Sequence, residues 1–124
     1  MDLIELARNS LLVIHLIGQA ALLGGFLTQI RAASAGEAKI LPLMLHGAWT
    51  ALAAGLLLVG LMEYRVAMGA DIEINHIKIG AKSLVITAIL ILLYAQRRKG
   101  NVKAGAFWAI GGLTLTNLVL AVFW

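Results

Sequence analysis

Residues 77–99 read IKIGAKSLVITAILILLYAQRRK, and the fold turns on where that stretch is placed. From Ser83 to Ala95 it carries no charge, and it then stops against Arg97, Arg98 and Lys99. An apolar run of this length, closed by consecutive cations, predicts a helix that crosses a bilayer and ends at the cytoplasmic surface. Lys78 and Lys82 stand at the other end, four residues apart and therefore on one face of that helix. Lys82 is thus a lysine inside a span, where its charge costs roughly 3 kcal/mol or more unless it reaches a partner or the surface.

The remainder of the chain has the same character. Of its 124 residues 61% are apolar and the mean hydropathy is +0.94, which leaves little outside the spans to form a soluble domain. No cysteine is present, so thiolate metal sites, dithiol redox chemistry and disulfides are excluded. The net charge of +4 is clustered at span ends and reads as membrane anchoring. No aromatic-basic surface supports nucleic-acid binding. Asp2 and Glu5 occupy the first eight residues in place of a basic leader, and no small-residue cleavage site follows the first span, so no cleaved signal peptide is expected.

Four spans are predicted in one transmembrane domain covering 1–124, at about 9–30, 40–63, 77–96 and 104–124. The linker RAASAGEAK is short and polar, which makes the first two spans antiparallel neighbours. Pro42 falls in the first turn of the second span, where its missing N–H costs nothing. After that span a turn is expected at Met68-Gly69-Ala70, then either a capping Asp71 or an extended piece through Ile72 and Ile74. Gly100-Asn101 forms the last hinge, and Phe123-Trp124 an interfacial aromatic pair. The first and third linkers carry Arg31, Lys39, Arg97, Arg98, Lys99 and Lys103 against Glu37 alone, six cations minus one acid, or +5. The opposite side carries Arg8, Arg65, Lys78 and Lys82 against Asp2, Glu5, Glu63, Asp71 and Glu73, four minus five, or −1. The expected fold is therefore an all-α, antiparallel four-helix bundle in the bacterial cytoplasmic membrane with both termini outside the cytoplasm. Small residues at Gly24, Gly47, Ala51, Gly55 and Gly112 supply the expected helix-packing faces. Leu56–Leu61 and Ile86–Leu93 read as aliphatic surfaces turned to lipid or to another protein.

Every acid lies at or beyond a span end, which argues against a proton-coupled antiporter that needs an embedded carboxylate. The interior polar residues singled out are His15, Gln19, Lys82 and Asn117. At 1.5 Å rise per residue, His15 falls about 6 Å to the outer side of the midplane, and Lys82 and Asn117 about 4–5 Å. His46 falls about 7 Å to the inner side, so a haem held between His15 and His46 is not expected. Gln19, one turn from His15, is read as an interhelical hydrogen bonder.

The run IHLIGQAALLGGFLTQIR, with His15, Gly24, Gly25 and Arg31, followed by HIKIGAKSLVITAILILLYAQRRK with Lys82, resembles the HemJ-type protoporphyrinogen oxidases and the CopD-like copper-resistance membrane proteins. That resemblance implies a haem b or porphyrin-related site centred on His15 and Lys82. The residues themselves favour a different expectation: a non-catalytic accessory subunit of a larger bacterial membrane complex, respiratory or otherwise energy-converting, with no cofactor and no metal. A small transporter or channel, with Lys82 and Asn117 along an anion path, is the other alternative. The expected partners are the bilayer, a larger membrane-protein complex, and anionic lipid at Arg97, Arg98 and Lys99, with no nucleic acid.

Overall fold

The structure, a computed structural model, describes residues 2–71, 74, 76–97 and 101–123, without the side chains of Val122 and Phe123. Its elements are α1 (Leu3–Thr28), α2 (Ile30–Ser34), α3 (Pro42–Ala67), α4 (His76–Arg97) and α5 (Ala104–Phe123). The helices α1, α3, α4 and α5 are each long and apolar enough to cross a membrane. Ile72, the extended alternative that ran through it, and the Arg98-Lys99-Gly100 block fall outside the described residues.

The helix α1 begins well before the expected start at 9, because Asp2 caps it. Its carboxylate accepts the Glu5 N–H at 2.7 Å, one of the first-turn donors that a helix leaves open. Two other helix ends are set by glycine. Gly36 and Gly69 adopt φ of 74° and 93°, and the following N–H groups reach back from Glu37 to Ala32 O (2.7 Å) and from Ala70 to Arg65 O (2.9 Å). Each is a Schellman stop, which needs a left-handed residue that only glycine adopts cheaply.

The linker expected to be a simple polar loop is partly built into the fold. It forms α2, and Ala38 is fully buried, with its carbonyl accepting the Val102 N–H at 2.8 Å. Gln29 Oε1 accepts the Lys39 N–H (3.0 Å) and Gln96 Oε1 the Lys103 N–H (3.2 Å). The two basic linkers are thereby fastened together at one end of the molecule.

The closest helix pair is α1 with α3. A Cβ on Gly18 would stand 2.6 Å from Ala51 N, and one on Gly47 2.6 Å from Gly18 O, so the two backbones are in direct contact. Along the pair, His15 meets Gly55, Gly18 meets Gly47, and Gly25 meets Met44, so positions rise on α1 as they fall on α3. In the half nearest the basic linkers lies an apolar core of Leu22, Phe26, Met44, Ile89, Leu93, Phe107 and Ile110. Within it Phe26 stacks on Phe107 with centroids 4.7 Å apart. The stretch Ile86–Leu93 is not the outward surface expected. Ile86, Ile89, Leu90 and Leu93 are buried in that core while Leu84 and Ile91 face out, as helical periodicity requires.

The glycine assignments also need correction. Gly47, Ala51 and Gly55 pack as expected, but nothing lies within 4 Å of a Cβ placed on Gly24 or Gly112. Their neighbours Gly25 and Gly111 hold the tight positions instead, against Met44 and the Phe26 ring. One residue turns a helix face by about 100°, and that rotation is fixed by the tertiary fold.

Candidate functional site

In the other half of the bundle, side chains from α1, α3, α4 and α5 line a half-open chamber of about 60 Å³. His15 and Gln19 come from α1, Lys82 and Ser83 from α4, and Asn117 from α5, while Ala51, Leu52, Gly55 and Leu56 of α3 and Ile86 of α4 form apolar walls. The interior polar residues picked out by their types are therefore brought to one place. A wider vestibule of about 270 Å³ abuts the chamber at His15, Gly55, Lys82 and Ala121 and is lined further by Arg8, Leu12, Leu58 and Met62. Arg8 lies seven residues before His15, about 10 Å along α1, so the vestibule extends toward the end of the bundle that carries the termini. Arg8 was missed as a site residue, and its signal was that two-turn spacing on His15's face.

His15 is fixed in one tautomer. Its Nδ1 lies 2.6 Å from Ala51 O, a carbonyl that only accepts, so Nδ1 carries the proton and donates it. The Nε2 atom then presents a lone pair, and Gln19 donates to it through its side-chain N–H at 3.0 Å. Gln19 thus bonds a neighbour on its own helix, not a facing helix as expected. That orientation leaves Gln19 Oε1 buried with no partner among the described residues. Asn117, 5% exposed, also has no hydrogen-bond partner among them, and neither has the Lys82 ammonium. Lys78, one turn before it on α4, sets a like charge beside Lys82. Among the described residues no aspartate or glutamate lines either space.

This geometry bears on the porphyrin expectation. Both ring nitrogens of His15 are engaged, and the chamber is far smaller than a tetrapyrrole macrocycle. His46 cannot supply a second ligand, since it lies nine residues from Gly55, the level at which His15 docks, or about 13 Å along α3. His46 is exposed and lines a separate groove of about 160 Å³ with Trp49, Tyr94 and Arg97. His76 is exposed at the far end, 3.4 Å from Glu63. The residues present do not fit a haem. Among the described residues no group of three or more histidine, cysteine, aspartate or glutamate side chains could hold a metal ion. Nor is His15 placed as a general base for Ser83, because its only lone pair is already taken by Gln19.

Comparison with protein families, with curated proteins and with solved structures finds no match for this chain. What the site can do therefore rests on its own chemistry. It is a polar chamber with an unpaired ammonium, a hydroxyl and an unpartnered carboxamide, walled by aliphatic side chains. Buried polar groups are normally satisfied; here the buried Gln19 Oε1 has no partner among the described residues.

Proposed function

We propose that this protein is a small multi-pass membrane protein that binds an anion in the chamber between its helices, as a carrier or channel for it. The observation that carries this reading is Lys82. It shares the chamber with Ser83 and Asn117, none of the described lining residues is acidic, and Arg8 adds a second cation at the vestibule. An embedded cation without a protein counter-charge is stabilised by an anionic occupant. The proposed setting is the bacterial cytoplasmic membrane, in an antiparallel bundle with the basic linkers inside and both termini outside. The groove at Trp49, Tyr94 and Arg97 lies at the basic end, where an anionic headgroup would meet Arg97, which Arg98 and Lys99 follow in the sequence.

An accessory role in a larger respiratory or energy-converting complex is the second proposal. It draws on the outward aliphatic side chains Leu56, Leu57, Leu84 and Ile91, which a bilayer covers as readily as a partner does.

The test is thermal stability of the purified protein in lipid nanodiscs against a panel of anions and matched cations. Stabilisation by at least one anion, lost on Lys82→Met, is the expected result. Stabilisation by cations alone, or by no ion while a stoichiometric protein partner co-purifies, would replace the anion reading with the accessory one.

A further inference from the structure

We infer that the anion is a monocarboxylate with a short apolar tail, its carboxylate held by Lys82, Ser83 and Asn117. This deepens the chamber reading and rests on it. The charge count comes first. Among the described residues Lys82 is the chamber's single cationic side chain. Arg8, exposed and three residues after Glu5 on α1, already has water and an acid within reach. One ammonium in a low-dielectric space is matched by one negative charge, and a second would be left uncompensated. The donor set comes next. A carboxylate offers about four lone-pair sites, and the ammonium, the Ser83 hydroxyl and the two amide hydrogens of Asn117 are donors to fill them. Asn117 is 5% exposed, lines the chamber and has no other partner among the described residues, so its amide hydrogens are available to donate. The walls decide the rest. Leu52, Leu56 and Ile86 offer nothing to a hydrated inorganic ion but cover an alkyl chain, and the adjoining vestibule gives that chain room.

The experiment is calorimetric titration of the full chain in nanodiscs, corrected with empty nanodiscs, using acetate, butanoate and hexanoate. Chloride, inorganic phosphate, hexanol and hexylammonium are the controls. Affinity is expected to rise about fourfold per added methylene. Lys82→Met should weaken hexanoate roughly 10- to 150-fold and Asn117→Ala roughly 2- to 10-fold, as for charged and neutral hydrogen bonds. Ser83→Ala gives a further reading if Lys82→Met does not remain monodisperse. Chloride or phosphate binding as tightly as hexanoate overturns the carboxylate assignment and leaves the anion reading standing. Hexanol or hexylammonium binding as tightly as hexanoate, or no titrant binding at all, overturns both.

Discussion

At position 111 a methyl group would fall within the Phe26 ring, whereas at position 112 it would meet nothing within 4 Å. That ring is stacked on Phe107 at 4.7 Å and edge-on to Trp108 at 5.9 Å, so it has nowhere to retreat. Gly111→Ala should therefore destabilise the bundle by about 1–3 kcal/mol, the usual cost of overfilling a packed core. Gly112→Ala should stay within about 0.5 kcal/mol of the parent. Unfolding by detergent titration checks both, and equal effects from the two substitutions would contradict the assigned rotation of α5. The same scale holds a spectroscopic prediction. With Nδ1 bonded to Ala51 O at 2.6 Å, ¹⁵N spectra of histidine-labelled protein should show His15 with its proton on Nδ1. A proton on Nε2 in place of Nδ1 would set two acceptors against each other at Ala51 O and overturn the assigned contact. His15, Gln19, Lys82 and Asn117 were legible in the sequence because polar residues in apolar spans are costly and few. Their partners were not. Ala51 contributes a backbone carbonyl to His15, and no residue type announces that.

The ends of the elements depend on contacts of two kinds, local and distant. The glycine stops at Gly36 and Gly69 are local, and the turn at Met68-Gly69-Ala70 could be read directly from residue order. The glutamine caps are distant. Gln96, 7% exposed, holds the Lys103 N–H across the last hinge, and Gln29 holds the Lys39 N–H across the first linker. In an amino-acid string both look like ordinary polar residues at a membrane surface. Replacing Gln96 with leucine leaves the Lys103 N–H without its acceptor, at a cost of about 1 kcal/mol. Hydrogen exchange should then quicken at Lys103 and neighbouring Val102, while the α1–α3 pair, joined through Gly18 and Gly47, keeps its protection. Faster exchange throughout all four long helices would show instead that Gln96 sustains the whole fold. The spans themselves were legible because a bilayer demands about 20 apolar residues per helix. The early start of α1 was not, since the Asp2 cap extends the helix past the apolar run.

The whole molecule has two unlike ends. One end gathers Arg31, Lys39, Arg97 and Lys103 on linkers that are tied together by the Val102 to Ala38 hydrogen bond. The other carries the vestibule with Arg8 and Lys82, the exposed His76–Glu63 pair and most of the acids. Because the two linkers are joined, they lie at the same end of the bundle, and their excess of +5 against −1 opposite predicts that this end faces the cytoplasm. On that prediction the vestibule opens away from the cytoplasm, and the proposed anion would reach Lys82 from outside. Reporter fusions at Trp124 should be active only for a non-cytoplasmic reporter, and a cysteine placed at Glu63 should react with an impermeant thiol reagent in intact cells. A cysteine at Lys39 should react only after lysis. If Lys39 labels in intact cells and Glu63 does not, the bundle is inverted and the chamber faces the cytoplasm. The binding site would survive that result, but the direction from which the anion enters would not.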